Sequence, residues 1–469
     1  MSGIPDTRYP NRVREYAVIP RVDFRPLATD HSFIHLPQES FSVPDHWNSG
    51  IAFAELSDVG MRRANNQDSM VCLPAKTEDR FSTRGHLFVV ADGMGAHAAG
   101  ELASRIATEQ IAMHYFRTGQ SNSLEALRHS VSEANSEIHN RGQSNPEFHN
   151  MGTTASSLAI IPEGAVIAHV GDSRVYRLRD GIFEQLTFDH SLVWEMEASG
   201  HIDTSIWGKS IPKNVITRSL GPNAVVDIDL EGPFPVQPGD AFLLCSDGLT
   251  GLVDDNEIGA LVDCLPEDLA TRVLVDLANL RGGSDNTTVI VVRAKSSNQV
   301  NANKSTNENR RTPNRSQFLP FLIGATVVCA AITVIALLFQ SWIAIMAAIL
   351  TLICGIDTAF ICLRNRASEV DEPVVASGKG PYRRYDATPT ADLYKRLGAT
   401  VQALKDAASK NNWMMEWKKV DNYQAHGTAA LNDNNAKGAI RCQAQAIIET
   451  MNQLREQNNR AANETAIER

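Results

Sequence analysis

The sequence has no ordered set of cysteines. Its seven, Cys72, Cys245, Cys264, Cys329, Cys354, Cys362 and Cys442, are scattered and odd in number. Three of them fall in one apolar stretch, so neither a disulfide framework nor a zinc site is indicated. A reducing, cytosolic setting suits the soluble parts. No cysteine is followed by five residues and an arginine, which excludes a cysteine phosphatase. No Gly-x-x-x-x-Gly-Lys loop is there to cradle a nucleotide. Positive charge is also short: the formal net charge is −10, and no nucleic-acid partner is expected of such a chain. Residues 1–30 are polar and hold no apolar core segment, which predicts no cleaved leader. What remains is a globular composition, 43% hydrophobic and 21% charged. At 469 residues it is too long for one ordinary domain.

Residues 1–50 carry six of the twenty prolines and read as an irregular arm. From 51 to 295 short apolar runs alternate with moderate helices, the pattern of one mixed α and β domain. The runs Leu87–Ala91, Thr154–Ile161, Ala165–Val170, Val175–Leu178, Ala241–Cys245 and Thr287–Val292 predict strands. Helices are predicted over Ala98–Arg117, Ser123–Asn140, Ser191–Ser199, Asp254–Val262 and Pro266–Leu280, the last with Pro at its start and Gly282-Gly283 past its end. Residues 296–317 are a polar linker. Phe318–Phe339 is then a run of 22 residues without a charge, and Trp342–Leu363 follows with one acid, Asp357. Runs of that length cross a bilayer. Lys304, Arg310, Arg311 and Arg315 precede them and Arg364 and Arg366 follow. That bias predicts a two-helix transmembrane hairpin over 318–363, lipid around it and both flanks in the cytoplasm. Residues 364–387 read as a second linker. Ala391–Asp406, Trp413–Ala430 and Asn435–Leu454 predict a small helical domain over 388–460.

Acidic residues recur at the ends of apolar strands. Phe88-Val89-Val90-Ala91 leads into Asp92-Gly93, Ile167-Ala168-His169-Val170-Gly171 into Asp172, and Phe242-Leu243-Leu244-Cys245-Ser246 into Asp247-Gly248. Asp285-Asn286 precedes the run from Thr287, and Asp68 closes Arg62-Arg63-Ala64-Asn65-Asn66-Gln67. A carboxylate at the mouth of a buried strand is costly to ionise without a partner. Five that converge would repel one another unless hard divalent cations sat between them, and an all-oxygen donor set suits Mg²⁺ or Mn²⁺ better than zinc. Any single Asp-Gly is more often a turn; Asp180-Gly181, between two alternating runs, is read as a hairpin.

In this order the motifs resemble those of the PPM-type (protein phosphatase 2C-like) serine/threonine phosphatases of the bacterial branch. The resemblance covers Ala52 to Arg293 and rests on the stretches Asp58 to Asp68, Val90 to Gly95 with His97 to Glu101, Met151 to Thr154, and Gly171 to Arg174. Leu186 to His190, Ile216 to Gly221, Ser246 to Leu249 and Ser284 to Thr287 complete it. It implies an α+β fold, a four-layer αββα sandwich of two antiparallel sheets flanked by helices, with two Mn²⁺ or Mg²⁺ ions at one end. Asp92 would bridge both ions, with the Gly93 carbonyl on one of them. Asp247 and Asp285 would hold the other, Asp68 would act largely through water, and Asp172 would join Asp247 at a third, weaker ion. A hydroxide between the two main ions would attack phosphorus in line, with no phosphoenzyme. Arg63 matches the phosphate-binding arginine, and a guanidinium fork suits two phosphoryl oxygens.

The implied substrates are phosphoserine and phosphothreonine proteins, with a cognate serine/threonine kinase as counterpart. The segment 192–212 would be a flap over the site, carrying Trp194, Met196 and Trp207, which pack it down rather than meet a peptide. Gln67 replaces a family glutamate and so removes a charge near one ion. Met94 stands where some relatives have histidine, which points to water as proton donor, and Ala96 replaces a glycine. The rival expectation is a phosphoprotein-binding module without activity, with the helical tail as its working part. Loss of the core acids would mark such a module, and here they are present.

Overall fold

The computed structural model describes residues 50–95, 98–118, 122–200, 215–295 and 378–467, with side chains up to 457. The arm, the apolar segment 318–363 and most of the expected flap, Trp207 included, lie outside them. Among the described residues no helix is long and apolar enough to cross a membrane.

Two antiparallel six-stranded sheets form the centre. The first has the order β1 (Ile51–Asp58), β11 (Thr287–Ala294), β10 (Ala241–Cys245), β7 (Arg174–Arg179), β8 (Ile182–Gln185) and β12 (Arg383–Asp386). The second runs β2 (Asp68–Leu73), β3 (His86–Met94), β5 (Ala155–Ile161), β6 (Gly164–Val170) and β9 (Asp229–Phe234), with the short β4 (Gly152–Thr153) on the end of β3. Asp180 and Gly181 both have positive φ, 51° and 75°, and close the β7–β8 hairpin as their sequence signalled.

The period-two pleat explains why the strands read as unbroken apolar runs. Phe88 and Val90 of β3 meet Leu158, Ile167, Phe242, Leu244 and Ile290 between the sheets. Leu87, Val89 and Ala91 of the same strand point the other way, against α2 (Ala99–Arg117) and α3 (Ser123–Ser144). Both faces are buried, so alternation disappears. On the far side, Tyr176, Leu243, Cys245 and Val291 pack under α6 (Asp255–Cys264) and α7 (Glu267–Leu280). The expected αββα layering is therefore present. The chain also forms α1 (Glu78–Arg84), α4 (Leu192–Ala198) and α5 (Asp247–Thr250).

The tail departs from expectation. Residues 364–387 were expected to be a linker, yet Arg383–Asp386 is the outermost strand of the first sheet, in register with Ile182–Gln185. Arg384 donates to Glu184, which also holds Arg177. This ion-paired partner fixes a strand that its own sequence, Arg-Arg-Tyr-Asp, would not announce. Beyond it, Thr390 caps α8 (Ala391–Lys410) through a bond from the Leu393 amide. With α9 (Lys418–Asn432) and α10 (Ala436–Ile467) it makes the three expected helices. These do not stand apart: Leu393, Leu397, Val401, Ile440 and Ile447 belong to the same buried cluster as α6 and α7. The tail is a fifth layer on the sandwich.

Candidate active site

The strand ends deliver the acids to one end of the sandwich. Asp68 opens β2 directly opposite Asp92 of β3. Asp172 follows β6 after Gly171, whose φ of 114° only glycine adopts without strain. Asp247 begins α5 after β10, and Asp285 stands two residues before β11. The five sequence-predicted acids are brought into one another's field, the charges of Asp68, Asp172, Asp247 and Asp285 all acting on Asp92.

Asp68 and the backbone of Asp92 are held by specific bonds. Asp68 belongs to the second sheet, but its Oδ2 accepts from Ser246 and Thr288 of the first, both at 2.7 Å. Those two hydroxyls clamp the sheets together beneath the site. The Asp92 backbone is fixed by Thr154, whose Oγ1 accepts from the Asp92 amide at 2.8 Å, and by Thr153, whose hydroxyl donates to its carbonyl at 2.8 Å. Gly93 packs so closely on α2 that an added Cβ would lie 2.1 Å from the Gly100 carbonyl oxygen. Gly248 is tighter still, 1.9 Å from the Asn286 oxygen.

Asn286 was quoted in a motif without a role, and the structure supplies one. Its Nδ2 donates to the carbonyls of Val59 and Asn65, and its Oδ1 accepts from the Gln67 amide. One side chain thus ties down the whole loop that carries Arg63. That guanidinium donates to Asp285 Oδ2 at 2.7 Å while remaining half exposed, the position of a group waiting at the mouth. Arg62 beside it is exposed, as expected of a surface charge. Ser246, Thr288, Thr154 and Asn286 were missed as supporting residues; Ser246 and Asn286 adjoin Asp247 and Asp285 inside the motifs, Thr154 closes a motif without an acid, and Thr288 lies just past one.

Burial dominates the electrostatics. It pushes the Asp68 carboxyl up to about 7, against the bonds from Ser246 and Thr288, with Asp247 and Asp285 adding repulsion. Asp172 is likewise raised to about 7 by burial and by Asp247 and Asp189. Asp92 and Asp247 are raised too, burial first and neighbouring acids second. Three carboxylate oxygens, Oδ1 of Asp68, Asp172 and Asp247, are buried with no hydrogen-bond partner among the described residues. Orphaned buried oxygens are rare in folded proteins and call for a ligand. No three His, Cys, Asp or Glu side chains among the described residues close on one point as a ready cage.

Around this centre Arg174 grips Asp189 with two nitrogens and reaches Asp255, which also accepts from Tyr176. His190 Nδ1 accepts from the Gly171 amide and its Nε2 meets Asp229, so the turn before Asp172 is fixed from below. Trp194 of α4 is buried against Phe188 and beneath Arg383. It thus holds α4, the described part of the expected flap, against its neighbours. Met94 lies at the end of β3, and Ala96 falls outside the described residues.

Comparison with known proteins gives these features a family. A sequence model described as protein phosphatase 2C matches residues 62–272. The protein phosphatase PhpP of Streptococcus pneumoniae is 36% identical over 244 residues, which is 50% of this chain and 95% of that one. Among solved structures, the serine/threonine phosphatase PstP/Ppp of Mycobacterium tuberculosis is 34% identical with a TM-score of 0.46, covering 52% of this chain and 99% of that one. The catalytic domain of serine/threonine protein phosphatase PstP in complex with two manganese ions is 33% identical, with a TM-score of 0.44 and the same 52% and 99% coverage. Each of the three matches about half of this chain and nearly all of its own length. With a near full-length relative at this identity and the motif acids gathered around Asp92, the chain belongs to the protein phosphatase 2C family of metal-dependent serine/threonine protein phosphatases.

Proposed function

We propose that this chain removes phosphate from phosphoserine and phosphothreonine in proteins at the cytoplasmic face of a membrane. The cofactor is a pair of Mn²⁺ or Mg²⁺ ions, as befits the family. The observation that carries the reading is the set of three orphaned buried carboxylate oxygens, on Asp68, Asp172 and Asp247, beside Asp92 and Asp285. Asp92 and the Gly93 carbonyl would hold one ion and Asp92, Asp247 and Asp285 the other, with Asp68 alongside; Asp172 and Asp247 would hold a third, weaker one. The ions, when bound, acidify water and neutralise charge on the phosphoryl oxygens.

The remaining work falls to the chain's own residues. Ser246 and Thr288 aim Asp68, Thr153 and Thr154 fix the Asp92 backbone, and Asn286 sets the loop height of Arg63. Arg63 exchanges Asp285 for two phosphoryl oxygens when a phosphomonoester enters, a bidentate contact that lysine could not copy. The uncharged run Phe318–Phe339, the second run to Leu363 and the basic residues on both flanks support a lipid-embedded hairpin. Tethering concentrates the enzyme on membrane-bound substrates and on a cognate kinase. Hydrolysis of p-nitrophenyl phosphate measured against Mn²⁺ concentration tests the chemistry. Saturable stimulation that EDTA abolishes is expected, and a flat response would sink the proposal.

A further inference from the structure

The loop from Asp58 to Gln67 is gripped from two sides. Within the sandwich, Asn286 holds its carbonyls, and the Met61 amide donates to the Gly283 carbonyl at 2.8 Å. Asp58 Oδ1 accepts from the Gly60 amide and from Asn279 of α7. The second grip comes from the tail. Arg455 of α10 sends Nη2 to Asp276 Oδ1 at 2.8 Å and to Asp58 Oδ2 at 3.4 Å. Just before it, Leu454, and Met451 one turn earlier, join Leu404 in an apolar cluster against which Met61 and Leu280 pack. Met61 is two residues from Arg63. Asp276 is fully buried and also held by Arg272, so the bridge is anchored at its inner end. Arg455 Nη1 is buried without a hydrogen-bond partner among the described residues. A side chain kept only for packing would avoid that cost.

We propose that Arg455 is a positioning residue for the phosphate-binding arginine, so that the last helix of the tail is part of the catalytic unit. It acts through Asp58 and Met61 to set the loop that presents Arg63, and touches no substrate itself. This rests on the phosphate role proposed for Arg63. A loop held at both ends presents the guanidinium at a fixed height, and loosening one end lowers affinity for the phosphoryl group without altering the carboxylates that serve turnover.

The test uses the full chain loaded with Mn²⁺, with p-nitrophenyl phosphate as substrate and inorganic phosphate as competing ligand. Arg455→Gln is expected to raise KM and the phosphate inhibition constant about three- to tenfold with kcat within about twofold, the signature of lost ground-state binding. Arg455→Lys should recover at least half of the rise, since its ammonium reaches the same two acids. Should Arg455→Gln not fold, Asp58→Asn carries the test: it keeps the Oδ1 bonds to Gly60 and Asn279 but loses the charge facing Arg455, and should raise KM in the same direction. Wild-type KM in these variants, while Arg63→Ala raises it, overturns the proposal. So does a fall in kcat and melting temperature with KM unmoved and no rescue by lysine. Arg63→Ala with wild-type KM overturns instead the phosphate role on which both readings stand.

Discussion

At the scale of single residues the site is defined by charge that the fold cannot neutralise alone. Asp68 and Asp172 are raised to about 7 because burial disfavours their ionised forms. A carboxyl whose folded value lies above its unfolded one binds its proton more tightly when folded. The stability that these two acids contribute to the metal-stripped protein is therefore fully present below about pH 4 and is lost as pH climbs through about 7. Divalent cations remove the penalty by taking the proton's place. Calorimetry at pH 5 and pH 7.5, in EDTA and in Mn²⁺, should show the gap in melting temperature widening at the higher pH. An equal gap at both would mean the acids do not face a shared metal. Sequence reasoning found Asp92, Asp172, Asp247 and Asp285 because each ends or precedes a conspicuous apolar run, whereas Asp68 and Arg63 stood out only through the resemblance of the stretch Asp58 to Asp68. It did not find Thr154, Ser246 or Thr288, because a hydroxyl beside a strand looks the same whether it meets solvent or clamps a carboxylate across two sheets.

The elements divide along the same line. Strands buried on both faces, such as β5 and β10, were legible to within a residue, because continuous apolar runs leave few alternatives. The strands that escaped were β1, β2, the two-residue β4, β9 and β12. β1 is an edge strand only partly buried, β9 carries Gly232 and Pro233, and β12 is mostly charged. Their pairing is set by partners far along the chain, which local pattern does not encode. The tail helices were legible from their apolar spacing, but their docking on α6 and α7 was not. That docking predicts a mutational effect. Leu397 of α8 is fully buried in the cluster shared with α7, so Leu397→Ala should cost about 2–5 kcal/mol. Chemical denaturation should show the loss in the single transition of the whole described unit. Two transitions, with only a minor one shifted, would mean that the tail folds independently.

For the molecule as a whole, the tail closes on the sandwich at two places. Arg383 lies over Trp194 and pairs with Glu197 of α4, while Arg455 reaches Asp58 beside the phosphate loop. Lys295 and Gly378 both belong to the described body, and the two apolar runs lie between them in the sequence. The hairpin proposed for those runs would enter and leave the bilayer on one side, which suits two ends that meet the same body. With Gln340→Cys and Thr388→Cys made separately, a membrane-impermeant thiol reagent added outside intact cells should label only the first. Labelling of both would contradict the hairpin. The central claim remains the chemistry of Asp92 and its neighbours, and phosphate release from a phosphothreonine peptide by the full chain in Mn²⁺ tests it most directly. Asp92→Asn should lower the rate at least about 100-fold, since several kcal/mol of metal-borne charge stabilisation depends on that carboxylate. A variant as fast as the wild type would contradict the account.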